Sequence, residues 1–275
     1  MSPIKQLTLA LIANIGFVAS VIAAPINITL TSPTSRTGVS DSTYALAYNY
    51  TAGGLNMTLT GWTYGQKNKV VNTTCKTWYP YKPRTNANCK VWNTKTVTTP
   101  DNAATQTLVG NFGSNYGLGV EKASTPNHAM DNEGGYFDMM LLSFSTLVTL
   151  NTIDLGWISN DSDVSIMAFN GTPAQSSFAG KSWESLLGNG WISAGNYYDV
   201  GNSPKNVNPL NISSQYWLIG AYNPLLDSAA KDTKTDYFKL QSLKVSKYVK
   251  VPEPSALMLL ALGLLSLVVV RRKKF

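Results

Sequence analysis

The 275-residue chain has a single histidine, His128, and only two cysteines, Cys75 and Cys89. Zinc at the cysteines is disfavoured, because neither the histidine nor a third cysteine lies near them. Gly-X-Ser-X-Gly, His-Glu-X-X-His, P-loop and Cys-X-X-Cys patterns are all absent. Their absence removes the sequence signatures of a nucleophile elbow, a helical zinc protease, a nucleotide-phosphate cradle and a thioredoxin-type redox pair. Ser228-Ala229-Ala230-Lys231 has the Ser-X-X-Lys spacing but lacks the companion motifs of penicillin-binding enzymes, so it carries no assignment. His128 has no recognisable nucleophile pattern beside it. It reads as a hydrogen-bonded hinge leading into a strand at Phe137, with an acid/base or ligand role as the alternative.

Charge is scarce too, at 13% of residues, and the net value of +7 misleads. Five of the 22 basic residues (Lys5, Arg271, Arg272, Lys273 and Lys274) sit at the chain ends; without them 17 remain against 15 acidic residues. A balance near +2 is no nucleic-acid surface. The remaining charge is uneven. Residues 24–120 hold eight basic and two acidic groups, whereas residues 121–210 hold three and nine. The first stretch could face a polyanion and the second a cation; solvated faces would give the same counts.

The ends have the form of targeting segments. Lys5 precedes an apolar run from Leu7 to Ala24 that closes on small residues. Residues 1–23 therefore read as a signal peptide, cleaved after Ala23 or, less favourably before Pro25, after Ala24. At the other end, Val251-Pro252-Glu253-Pro254-Ser255 leads into an apolar run from Ala256 to Val270, then Arg271-Arg272-Lys273-Lys274-Phe275. Fifteen helical residues cover about 22 Å, short of a hydrocarbon core of about 30 Å unless the flanking cations snorkel. The reading is a single transmembrane helix over 255–270 with Arg271, Arg272, Lys273 and Lys274 as the stop-transfer cluster. Basic residues at both ends place the body on the far side of the membrane. The two prolines keep the junction extended and open to a protease.

Between these ends, 24–249 reads as one β domain. Alternation is plain in Asn56-Met57-Thr58-Leu59-Thr60 and in Asp163 to Phe169, and Gly53-Gly54, Asn170-Gly171 and Asn189-Gly190 supply turns. Many short runs favour an all-β, antiparallel two-sheet sandwich of jelly-roll type. One short helix is expected near Ser182–Leu187, begun by Ser182 and ended by Gly188. Trp157 and Trp217 are expected in the core. Residues 63–102 read as a polar insertion pinned by a Cys75–Cys89 disulfide, as an exported chain permits. Its tip holds Trp78, Tyr79, Tyr81, Lys82 and Arg84, a combination suited to stacking on sugars, with Trp78 as the aromatic expected to be exposed.

The C-terminal arrangement resembles the PEP-CTERM sorting signal of Gram-negative bacteria: the Pro252-Glu253-Pro254 triplet, one hydrophobic helix and a terminal basic cluster. The resemblance implies recognition and cleavage by an exosortase, after entry through the Sec machinery and signal peptidase and transient residence in the inner membrane. The mature form would lie on the cell surface or in the extracellular matrix. It also implies a setting of exopolysaccharide and biofilm. A second segment, roughly 125–200, resembles the exosortase-dependent surface proteins through Asn127-His128-Ala129-Met130-Asp131-Asn132, Leu141-Leu142-Ser143-Phe144-Ser145, Leu155-Gly156-Trp157 and Asp161-Ser162-Asp163-Val164. That resemblance implies a surface β-sandwich and no particular reaction.

Asp161 and Asp163, with Asp131 or Asp138, offer oxygen ligands for a structural Ca²⁺ ion, although the stretch lacks the glycine and terminal Glu of an EF-hand loop. No other cofactor is expected. Glu121, Glu133 and Glu184 are the carboxylates open to a glycosidase pair, but the sequence places no two across a cleft. The leading expectation is a non-catalytic surface or matrix protein associated with exopolysaccharide. A carbohydrate-binding module is the second reading and a secreted polysaccharide-active enzyme the third.

Overall fold

The computed structural model describes residues 20–22, 24–120, 128–171, 179–224, 234–250 and 264. The strands are β1 (Ser20–Ile22), β2 (Ile26–Thr29), β3 (Ser35–Val39), β4 (Tyr44–Ala52), β5 (Leu55–Trp78), β6 (Cys89–Thr107), β7 (Val109–Asn111), β8 (Leu118–Val120), β9 (Met130–Asp131), β10 (Met139–Asn160), β11 (Val164–Phe169), β12 (Trp191–Tyr197), β13 (Lys205–Asn206), β14 (Ser213–Ala221) and β15 (Asp236–Lys250). A one-turn helix, α1 (Trp183–Leu186), begins where Ser182 accepts the Ser185 N–H through its side chain. Gly53 and Gly54, both at positive φ, form the two-residue loop joining β4 to β5.

Ala24–Lys247 forms one compact unit. Its architecture departs from the expected two-sheet sandwich. Strands β15, β8, β7, β4, β5 and β10 follow one another and then return, because β10 also pairs with β15, giving a closed six-stranded barrel. The cause lies in β10. Residues Met139–Ser143 pair with β5 on one side and β14 on the other, while Val148 and Thr149 pair with β14 and β15. Since β14 holds one edge through Thr149 and β13 takes it at Thr152 and Ile153, β5 and β15 occupy successive stretches of the opposite edge. The sequence reads as two strands here, Phe137–Ser145 and Val148–Ile158, but Ser143–Val148 is an irregularity inside one long bent strand that turns the barrel corner.

Strands β14, β11 and β12 continue from β10 as a flange. All six residues of β11 are buried. Val164, Ile166 and Ala168 join the main core with Leu59, Leu142 and Phe238, while Met167 and Phe169 pack in a second core with Trp183, Trp191 and Leu218. Two buried faces explain why this strand shows unbroken burial where a half-exposed strand alternates.

The remaining described residues form a second unit, in which Ser20–Ile22 pairs antiparallel with Tyr248–Lys250. Those three residues are strand, whereas the signal peptide read over 1–23 is expected as a helix. The rest of the signal segment and the tail beyond Lys250 lie outside the described residues, apart from helical Leu264. Among the described residues, no helix is long and apolar enough to cross a membrane.

Candidate functional site

Three carboxylates meet where β10 ends and β15 begins. Asp161, Asp163 and Asp236 are all buried, and each offers an oxygen within 4.8 Å of the others. Asn160, at a φ of 65°, turns the chain out of β10. Asp161 bridges to Asp236, and Asp163 leads directly into β11. The local hydrogen bonds hold the side chains in place. The Asp163 N–H donates to Asp236 Oδ1 at 2.7 Å, the Asp199 N–H to Asp163 Oδ1 at 2.7 Å, and the Ser162 N–H to Asp161 Oδ1 at 2.8 Å. Asn132 Nδ2 donates to Asp236 Oδ2 at 2.6 Å, and Lys234 Nζ lies 3.3 Å from Asp161 Oδ2.

Asp236 is pushed up to about 7, first by burial and then by the charges of Asp163 and Asp161; the hydrogen bonds from the Asp163 N–H and Asn132 oppose the shift. Crowded carboxylates of this kind hold either a shared proton or a hard cation, for which oxygen donors are the right chemistry. The sequence pointed to Asp161 and Asp163. It missed Asp236, which lies 73 residues away from Asp163. Asp131 and Asp138 are buried nearby in sequence to Asn132 but are not members of the three-carboxylate group. The Asp131 side chain accepts the Glu133 N–H instead.

A second candidate is the ribbon formed by β5 and β6. Its strands pair from Gly61 and Thr107 out to Trp78 and Cys89. The tip is closed by a Cys75–Cys89 disulfide with Cα atoms 5.7 Å apart. Inside the loop, Asn88 Nδ2 donates to the Pro83 carbonyl and to Thr85 Oγ1, and the Thr85 N–H also donates to Pro83. Tyr81 stands fully exposed at a φ of 63°, a backbone state that bulky side chains rarely adopt. Tyr79 is 48% exposed, with Lys82 Nζ 5.9 Å from its ring centre. Arg84 is exposed, and Trp78 is only half-exposed. The aromatic presented most openly is therefore Tyr81, not Trp78.

The other singled-out residues have structural surroundings. His128, at a φ of 47°, stacks on Phe112 with ring centres 5.9 Å apart and meets Tyr44 edge-on. Trp217 is buried in the main core; Trp157 is half-buried, with Lys239 Nζ 4.1 Å from its ring centre. Burial lowers Lys239 to about 8. Glu133 is exposed and Glu184 lies in α1, whereas Glu121 and the Ser228–Lys231 stretch lie outside the described residues.

Residues 250–273 match the PEP-CTERM protein-sorting motif. The chain thus carries the sorting signal of an exported protein that is processed by an exosortase and anchored transiently through its C-terminus. No curated protein matches the chain. No solved structure matches it.

Proposed function

We propose that the protein is a non-catalytic component of the cell surface or extracellular matrix, delivered through its C-terminal signal and associated with exopolysaccharide. The observation that carries this reading is the sorting motif at residues 250–273, which marks the tail as an address. The signal peptide and the motif would both be removed, leaving the β domain as the working part. Signal peptidase and the exosortase are then processing partners, with periplasmic passage between them. Mass spectrometry of the protein from its native host tests the proposal. Expected are an N-terminus at Ala24 or Pro25 and a C-terminus close to Pro252-Glu253-Pro254. A product that retains residues 255–275 would overturn it.

A carbohydrate-binding role within that setting is favoured by one further observation. The ribbon tip exposes Tyr81 completely and braces Lys82 beside Tyr79. Exposed rings beside cations suit sugar stacking. Loss of polysaccharide retention in Tyr81→Ala would support this role; unchanged retention would remove the tip from it.

A further inference from the structure

We propose that the β5–β6 ribbon is a docking arm for an acidic polysaccharide, which lies along the arm's length; this rests on the matrix-associated reading above and names the class of polymer. Beyond Tyr64 and Ala104, β5 and β6 pair only with each other among the described residues. The paired stretch Gly65–Trp78 covers about 45 Å at the usual rise of a strand. The described side chains between Val71 and Lys95 enter neither core cluster. A two-stranded ribbon without a core is marginal by itself, so the barrel gains little from carrying it.

Its charge is one-sided. Along the ribbon, from Gly65 to Asp101, lie Lys67, Lys69, Lys76, Lys82, Arg84, Lys90 and Lys95 against one acidic residue, Asp101, paired with Gly65 at the base. Lys76, Lys82, Arg84, Lys90 and Lys95 are all exposed. Lysines on an open ribbon also discourage edge-to-edge pairing, but that purpose calls for neither an all-positive tip nor a fully exposed tyrosine there. A linear polyanion fits both features, with its acidic groups along the strands and a sugar face against the tip rings.

The spacing also decides against a membrane surface. Lys67 and Lys95 lie far back along the ribbon from Tyr81. A bilayer touched by the tip would leave them beyond a screening length of about 8 Å. A chain running along the arm engages every cation and releases the counterions it held, so binding must weaken steeply with salt.

The mature protein, assayed by co-sedimentation, tests this with three probes: alginate, neutral dextran and phosphatidylglycerol vesicles. Alginate is expected to bind more tightly than dextran, and to lose roughly tenfold or more in affinity between about 50 and 300 mM NaCl. The joint change Lys76→Gln, Lys82→Gln, Arg84→Gln, Lys90→Gln and Lys95→Gln is expected to weaken alginate binding by at least about tenfold while the melting temperature holds. Should that variant not fold, the wild-type salt series and the pair Lys82→Gln, Arg84→Gln carry the test. Equal, salt-insensitive binding of alginate and dextran would overturn the acidic-polymer inference and leave the glycan association standing. Binding to no glycan would remove that association as well. Vesicle binding without alginate binding would overturn the choice of partner.

Discussion

Asp236 shows how one side chain is set by neighbours distant in sequence. Its carboxyl is raised from 3.8 to about 7, above its unfolded value. Stability drawn from the protonated form is therefore complete below about pH 4 and is lost as the pH rises through about 7. The expected result is a melting temperature that falls between pH 4 and 7 in the wild type, with a flatter slope in Asp236→Asn. A divalent cation would substitute for the missing proton. Added Ca²⁺ should thus raise the midpoint at pH 8 and not at pH 5, and a chelator should reverse the gain. A midpoint at pH 8 that ignores both additions would leave the cluster as a proton-sharing site only. Lys239 runs the other way at higher pH. Its lowered value means that stability grows as the pH rises from about 8 towards its unfolded value of 10.5.

At the scale of elements, close backbone approach matters more than side-chain chemistry. Gly119 in β8 lies against the backbone carbonyl of His128, where a Cβ would collide. Gly119→Ala is expected to cost several kcal/mol in thermal unfolding, because Gly119 is held in register opposite Gly110 and the obstacle is backbone, not the end of a flexible side chain. Gly188, where an added Cβ would meet only the Ser185 carbonyl oxygen at 3.8 Å and the φ is ordinary, is the control: Gly188→Ala should shift stability by less than about 1 kcal/mol. The ribbon gives a third case. A disulfide closing a loop of this size is worth about 3 kcal/mol in the chain-entropy view. The arm lies outside the core, so Cys75→Ser with Cys89→Ser should act locally. Proteolysis and amide exchange between Tyr79 and Asn88 are expected to rise while the barrel midpoint moves little; a barrel that melts with the loop would show that the two are coupled.

For the whole molecule, the closing of the barrel and the exit of the chain meet on β15. Its residues Leu240–Lys247 pair with β10, and Ile26–Thr29 pair with its other edge at Ser242–Val245. Strand β2 thus pairs with β15 a few residues before the sorting motif begins at residue 250. Replacing Arg271, Arg272, Lys273 and Lys274 with Gln should leave the β domain's unfolding unchanged and impair retention in the membrane, as read by fractionation of the native host. Altered unfolding of the β domain in that full-length variant would mean that the tail contributes to the fold.

Much of this was legible from local pattern. The C-terminal sorting signal, the period-two strands, the Gly53-Gly54 turn, the Ser182 cap and the Cys75–Cys89 pair depend on neighbours within a few residues or on composition, which a linear string records directly. Strand closure was not. Whether β10 is two strands of a sandwich or one strand rounding a barrel corner depends on which edges β5 and β15 occupy, and hydrophobic alternation is identical in both arrangements. The same limit explains Asp236, whose partners come from the turn between β10 and β11 and from Asn132 after β9, and Tyr81, whose full exposure against half-exposed Trp78 depends on how the ribbon tip folds. The sequence alone determined that the tail is a sorting signal and that the body is β-structured, because those properties reside in short contiguous segments. Only the tertiary structure decided which strands close the barrel and which side chains share a site, because hydrogen-bond edges and buried charges are satisfied across distances that sequence spacing does not encode.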